Sequence, residues 1–229
     1  FGNQDAVTSL LALSMEDAPL GELLHRALDL IIAVPSLSLQ PTGAIFLVED
    51  QPGVLVMKAQ KDLPPAMQEG CAQVRFGFCL CGRAAESQEA QFAAELDDRH
   101  EFTSDGVPAH GHYCVPILSA GRALGVICLW LDAGHQWDRG EEDFLKAAGD
   151  VLACAIMRAR AEELWTAQEA AESAKQQAEE SLALLRSTYE TQSVLDAVMG
   201  LALQDLPLGE ILAKALDVVL AAPFLPTPP

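Results

Sequence analysis

A stretch near the start of the chain returns almost unchanged near its end, and this repeat limits the folds available more than any other feature. Residues 13–37 read LSMEDAPLGELLHRALDLIIAVPSL, and residues 201–225 read LALQDLPLGEILAKALDVVLAAPFL. The register is constant: Pro207 minus Pro19 and Glu210 minus Glu22 both give 188. Asp17, Pro19, Gly21, Leu24, Leu28, Asp29 and Ala33 all have identical partners at that offset. Chance amphipathicity does not produce so many identities in one register, so each copy opens a structural unit. Of 229 residues, only those between the copies can complete one. The chain is therefore expected to be a fragment. It holds one complete unit over residues 1–157, a helical linker over 158–203, and the first helix of a truncated second repeat over 195–229, overlapping the linker's end. Such an unfinished helix leaves an apolar face to be covered.

Between the copies, the pattern of apolar residues alternates between helix and strand periods. Val7–Met15 and Leu20–Val34 carry helical spacing, broken by Pro19 and ended by Pro35. Pro35–Thr42 reads as a loop. Gly43–Glu49 and Val54–Ala59 read as strands around Asp50-Gln51-Pro52-Gly53, followed by a short helix near Pro65–Glu69. Gln73–Phe76 is expected as a strand, Cys81–Ser87 as a helix and Ala90–Ala94 as another strand. Glu95–His112 is expected to be a long irregular loop, a length that in compact domains often carries function. Tyr113–Leu118 and Ala123–Leu131 flank Ser119-Ala120-Gly121-Arg122 as a hairpin.

From Asp138 to about Leu203 the pattern is helical throughout, with Asp138 and Glu141 forming a capping box. Such a helix extends roughly 100 Å at 1.5 Å per residue. Beyond Leu164 a narrow seam runs through Ala167, Ala171, Ala174, Ala178, Ser181, Leu185, Thr188, Gln192, Leu195 and Met199. That is coiled-coil spacing with small knobs, hence weak pairing. Two roles remain open: a relay that shifts between registers, or a passive spacer.

Charge and cysteine usage narrow the function classes. Against 33 acidic residues stand only 14 basic ones, a formal charge of −19. Nucleic acid requires a basic stripe, and an anionic membrane surface likewise favours clustered cations, so neither partner is expected. No apolar run reaches the ~18 residues of a membrane span. No signal peptide is read at the start, and the opening Phe1-Gly2-Asn3-Gln4 reads as an artificial boundary, which leaves open a native leader before it. Six cysteines are too few for a disulfide scaffold at this length, and free thiols point to a reducing cytoplasm. Cys114, Cys128 and Cys154 lie in apolar runs and read as small core residues.

The order of elements, together with Phe76-Gly77-Phe78-Cys79-Leu80-Cys81-Gly82-Arg83-Ala84-Ala85, resembles the GAF domain family and its Gly-x-x-x-x-Gly-x-Ala entry into the pocket helix. Tyr113-Cys114-Val115-Pro116-Ile117 followed by Leu124-Gly125-Val126-Ile127 resembles that family's hairpin. The resemblance covers about Ser9 to Met157. It implies an α+β fold: an antiparallel sheet of about six strands flanked by helices and followed by the long C-terminal helix. It further implies a ligand pocket on the face away from the terminal helices and homodimerisation through those helices. Fusion to output domains such as histidine kinases or diguanylate cyclases is also implied.

On that fold Cys79, Cys81, His100, His110, His112 and Tyr113 are expected to line the pocket. Three readings of the Cys/His constellation remain open. Cys79, Cys81, His100 and His110 offer the donors of a transition-metal site for zinc or iron. Alternatively, a thiol at a helix N-terminus is poised for reversible oxidation. In the third reading the thiols pack and the histidines are solvated. Two ligand classes are disfavoured. The cyclic-nucleotide signature of the family needs an Asn-Lys pair, yet Asn3 is the sole asparagine, and no Cys precedes a His as in bilin attachment.

Free methionine-R-sulfoxide reductase also resembles this chain at Leu80-Cys81-Gly82-Arg83-Ala84-Ala85, with Cys81 at the matching position. Its nucleophilic cysteine before the hairpin has no counterpart between Glu95 and His112. The expectation is therefore a cytoplasmic, non-enzymatic sensor domain that takes an unknown small ligand and passes its state through a dimeric helix. The reductase is the alternative.

Overall fold

The computed structural model describes residues 3–37, 39–102 and 107–222, with Ser36 by its backbone only. These residues form two compact units, Phe1–Glu162 and Glu163–Pro229. In the first, helices α1 (Asn3–Ser14) and α2 (Leu20–Ile32) and a single 3-10 turn (Pro35–Leu37) lead into strands β1 (Leu39–Val48) and β2 (Val54–Lys61). Then come helix α3 (Pro65–Gly70), strand β3 (Gln73–Arg75), helix α4 (Cys79–Ser87) and strand β4 (Gln91–Ala93). Strands β5 (His110–Ser119) and β6 (Arg122–Asp132) form the hairpin, and helix α5 (Arg139–Ala202) follows. The six strands make one antiparallel sheet in the order β3-β2-β1-β6-β5-β4.

A sheet covered on both faces needs apolar residues at consecutive positions, and β1 and β6 supply them: Ala44–Leu47 and Leu124–Leu131 are buried without a break. Alternate residues then serve different cores. Ile45, Leu47, Tyr113, Val115, Ile127, Leu129 and Leu131 pack with Leu10 of α1, Leu24, Leu28 and Ile31 of α2, and Phe144, Leu145, Leu152 and Ile156 of α5. Ala44, Phe46, Cys114, Val126, Cys128 and Trp130 form the second core with Met67 of α3 and Leu80, Ala84 and Ala85 of α4. An ion pair of 2.6 Å between Lys61 and Asp29 adds a polar tie between β2 and α2. α5 is started by Asp138, whose Oδ1 accepts the Glu141 N–H at 2.9 Å, but the expected capping box is only half formed: the Glu141 carboxylate pairs with His135 at 2.8 Å, and the Asp138 N–H donates to Tyr113.

Most element boundaries shift by a few residues from the sequence expectation, and three of the shifts bear on the sheet and the site. β1 begins at Leu39 because Leu39 pairs with Leu131 across an irregularity before Gly43. α4 begins at Cys79. β5 begins at His110, so His110 and His112 are strand residues and not loop residues. Their partners are Asp132 and Trp130 of β6. Residues 103–106 of the expected loop and the Pro-rich 223–229 lie outside the described residues.

In the second unit, helix α6 (Leu208–Leu220) reproduces α2 at both ends, since 208 minus 20 and 220 minus 32 each give 188. Pro207 and Pro19 precede the two helices with nearly the same backbone angles. Their environments differ. Leu24 and Leu28 are each 1% exposed, whereas the matching Leu212 and Leu216 are 62% and 58% exposed. No helix among the described residues is long and apolar enough to cross a membrane.

The tightest backbone approach in the sheet is at Gly125, where an added Cβ would lie 2.1 Å from the Phe46 carbonyl oxygen. Gly125→Ala must displace β1 or β6 and is expected to lose about 2–3 kcal/mol of stability in urea denaturation. Wild-type stability in that variant would contradict the β1–β6 pairing.

Candidate functional site

The site grows from the two-residue period of one hairpin. On β5, His110, His112 and Cys114 point to the same face, and on β6 so do Cys128 and Trp130. The register sets His112 opposite Trp130 and Cys114 opposite Cys128. Cross-strand neighbours on one face touch, and here they form a chain of polar contacts. Cys114 Sγ is 3.4 Å from Cys128 Sγ, which is 3.6 Å from His112 Nδ1.

α4 brings the third thiol. Its opening is fixed by Gly82, where a Cβ would stand 2.1 Å from the Arg75 carbonyl oxygen, so only glycine lets the helix lie this close to β3. Cys79 takes a left-handed φ of 55° at the first position. Its N–H donates to the Glu101 carboxylate, and Arg83 pairs with the same carboxylate at 2.6 Å. This arrangement directs Cys81 into the core, 3.7 Å from Cys114.

Glu101 thereby holds the following-loop side of His100 to the start of α4. The preceding side is held by Arg99, which donates to Phe92 O at 2.9 Å and pairs with Asp97 at 2.6 Å. Between these anchors the His100 ring stacks on His112, centroids 4.8 Å apart, while His110 meets His112 edge-on at 4.7 Å. His110 also stacks on Trp130 at 3.7 Å. All three histidines are buried, at 8%, 0% and 3% exposure for His100, His110 and His112.

Burial decides the protonation of this cluster. Burial, with His112 and His110 beside it, pushes the His100 imidazole down to about 4. Burial likewise takes His112 down to about 4. His110 is lowered by burial too, against the Pro108 carbonyl, which favours the charged form. Among the thiols, S–H donation from Cys114 and Cys81 lowers Cys128, while burial raises Cys114. The trio therefore shares one ionisation at most, and the imidazoles are neutral at pH 7. Neutral imidazoles and thiolates are metal donors.

A small cavity of about 30 Å³ adjoins the cluster, lined by Cys71, Cys79, Cys81, His100, His112, Cys128 and Trp130 among others. It has room for about one water molecule. A metabolite-sized ligand, which typically needs several hundred Å³, requires the pocket to open.

Of the residues expected at the site, Cys79, Cys81, His100 and His112 line this cavity, and His110 lies behind it. Tyr113 does not, and its expectation as a pocket residue is corrected. The strand alternation places it on the helix-side core, where its hydroxyl accepts the Asp138 N–H at 3.0 Å and lies 3.3 Å from Asp138 O. The expected metal set of Cys79, Cys81, His100 and His110 is also divided. Two groups converge instead among the described residues: Cys81 with Cys114 and Cys128, and His100 with His110 and His112. Cys114, Cys128 and Trp130 sit among apolar neighbours, and in sequence they read as core and not as site residues. Their signal was the period itself, His-x-His-x-Cys on β5 and Cys-x-Trp on β6.

Comparison with known proteins gives a consistent picture. The family model described as "GAF domain" matches residues 17–157. The GAF domain of a phosphoenolpyruvate-protein phosphotransferase from Coxiella burnetii is similar in structure, with a TM-score of 0.60 and 22% identity, covering 71% of this chain and 97% of that one. The corresponding domain from Acinetobacter has a TM-score of 0.59 at 15% identity, covering 69% and 94%. Free methionine-R-sulfoxide reductase from Neisseria meningitidis, solved with its substrate, has a TM-score of 0.58 at 16% identity, covering 69% and 90%. At these identities the likeness is one of fold. No curated protein sequence matches this one.

The protonation state has a direct consequence for stability. An unfolded histidine titrates near 6.5, above the folded values of about 4 for His100 and His112. As pH falls the unfolded chain takes up protons first, so stability is full above about pH 6.5 and declines towards pH 4. In excess chelator, each of the two imidazoles should remove about 2 kcal/mol between pH 7 and pH 5 in urea denaturation. The slope should fall by about one proton in His100→Leu. A stability that is flat over this range contradicts burial in the neutral form.

Proposed function

The chain belongs to the GAF domain family, and on that premise we propose that it is a sensory module. The state of its Cys/His pocket is passed to α5 and read by an output domain of the histidine kinase or diguanylate cyclase type. One observation carries this reading: adjacent residues of β5 serve the pocket and the start of α5. His112 lies in the cluster, and Tyr113, the next residue, holds Asp138 by both its N–H and its carbonyl. Burial pushes the Tyr113 phenol up to about 12, so it stays a neutral hydrogen-bonding group at any physiological pH. A displacement of β5 that moves His112 also moves the group that caps the long helix.

The input is a small ligand or the redox state of the buried thiols. The cavity's size favours an ion or a single small molecule over a metabolite in the closed state. The output passes through a homodimer joined by the terminal helices. Supporting this is the run of apolar residues on α5 that stand exposed in the single chain, among them Leu185 at 65%, Leu195 at 52% and Met199 at 65%. The six free cysteines support a cytoplasmic setting. Within residues 195–229, helix α6 acts as the first helix of a second GAF repeat.

A second reading, a free methionine-R-sulfoxide reductase, is favoured by the 3.7 Å contact of Cys81 with Cys114. Full burial of Cys114 and the single-water cavity oppose it. Turnover of free methionine-R-sulfoxide with a thiol reductant would replace the sensory reading with the enzymatic one.

The relay is tested by a double-mutant cycle on amide hydrogen exchange over residues 139–156. His100→Ala should speed exchange in the wild-type background and lose most of that effect in Tyr113→Phe, a coupling of about 0.5–1 kcal/mol or more. Additive effects contradict transmission through Tyr113.

A further inference from the structure

Three buried imidazoles converge here, each with a ring nitrogen that has no hydrogen-bond partner: Nδ1 of His100, Nε2 of His110 and Nε2 of His112. Buried polar atoms are nearly always paired, so three orphans in one cluster need a reason. One nitrogen from each ring lies within 4.8 Å of the others. For His110 the tautomer is settled, because Nδ1 faces the Pro108 carbonyl at 2.7 Å and must donate to it. Its Nε2 therefore carries a free lone pair. A backbone carbonyl on the far nitrogen is the contact that orients a metal-binding histidine. For His112 the Cys128 sulfur lies 3.6 Å from Nδ1, so Nε2 is the nitrogen left without a partner.

We propose that His100, His110 and His112 form a three-imidazole site for a divalent first-row transition ion of the zinc class. Nitrogen donors exclude calcium and magnesium, which take oxygen. A tetrahedral ion with bonds of about 2.0–2.1 Å holds its ligand nitrogens roughly 3.3 Å apart, so the cluster must tighten. His110 and His112 are fixed on β5, and the closing movement falls to His100 on its loop. Glu101 carries that movement to the start of α4. The remaining coordination position is filled from the adjoining cavity, which admits one water or a small ligand atom.

The nearby thiol trio is a poorer host. Its members already pair with one another, and three buried thiolates around a dication would leave net negative charge in an apolar core. This assignment names the ligand class of the sensory pocket and rests on that reading for its consequence, not for binding itself.

The experiment uses full-length, untagged, chelator-stripped protein titrated with Co²⁺ and followed by absorption, with Zn²⁺ competition for affinity. The expected result is one ion per chain, visible d–d bands without a near-ultraviolet thiolate charge-transfer band, and displacement by Zn²⁺. His100→Ala, whose fold is checked by circular dichroism, should weaken binding at least about 100-fold. Cys81→Ser/Cys114→Ser should leave affinity within about threefold, well inside the ligand-loss effect. No binding, a thiolate band, or unchanged affinity in His100→Ala overturns the site. Hydrogen exchange over residues 139–156 is read on the same samples. Binding with no change there leaves the metal site standing and defeats the relay alone.

Discussion

The pairing of β5 with β6 is the constraint on which the rest of the structure depends. Ten residue pairs run from His110↔Asp132 to Ser119↔Arg122, and every side chain along them is assigned to one of two faces. Tyr113, Val115, Ile127 and Leu129 go to the helices, while His112, Cys114, Cys128 and Trp130 go to the pocket. A slip of one residue would exchange the two sets. It would put imidazoles and thiols under α5 and bring the phenol of Tyr113 into the pocket, away from Asp138. The bulge between Ile117 and Leu118 and the close approach of Gly125 to Phe46 help to hold the register.

The pocket face sets stability against chemical readiness. Burying three imidazoles and three thiols in one core gives up apolar packing, and the unsatisfied ring nitrogens are a further penalty. The core tolerates them because burial keeps the imidazoles neutral and because the thiols share hydrogen bonds among themselves. Tolerance without full satisfaction is the condition of a site that gains by binding something. On the helix face the Tyr113 hydroxyl is fully engaged with the start of α5. One sheet thus separates a reactive face from a mechanical one, and the dipeptide His112-Tyr113 contributes a residue to each.

Much of the fold was legible in sequence because its elements announce themselves locally. Pro19 and Pro35 bracket α2, Asp138 caps α5, and the offset of 188 shows that α6 repeats α2 to the residue. The antiparallel sheet of about six strands is implied by the family resemblance and not by periodicity, and its strand order is visible only in the structure. The site was harder to read, for reasons visible in particular residues. His110 and His112 looked like loop because charged and polar neighbours surround them, yet pairing with Trp130 and Asp132 extends β5 over both. Cys114 and Cys128 looked like core because they are core, and only the register sets them 3.4 Å apart. The family resemblance implies Tyr113 as a pocket residue, but it follows His112 directly on a strand, and neighbouring strand residues face opposite ways. The pairing of His100 with the strand depends on Glu101 and Arg99 anchoring a loop, and no periodic signal encodes such anchors.

X-ray absorption at the zinc edge, on full-length untagged protein loaded with one equivalent of zinc, tests most directly the claim that the imidazole face is the sensing centre. The account predicts nitrogen or oxygen neighbours at about 2.0–2.1 Å, the outer-shell scattering of three imidazole rings, and no sulfur. A sulfur shell at about 2.3 Å would move the centre to Cys81, Cys114 and Cys128. Zinc that washes away, leaving only the solvated ion's spectrum, would contradict a metal centre on this face altogether.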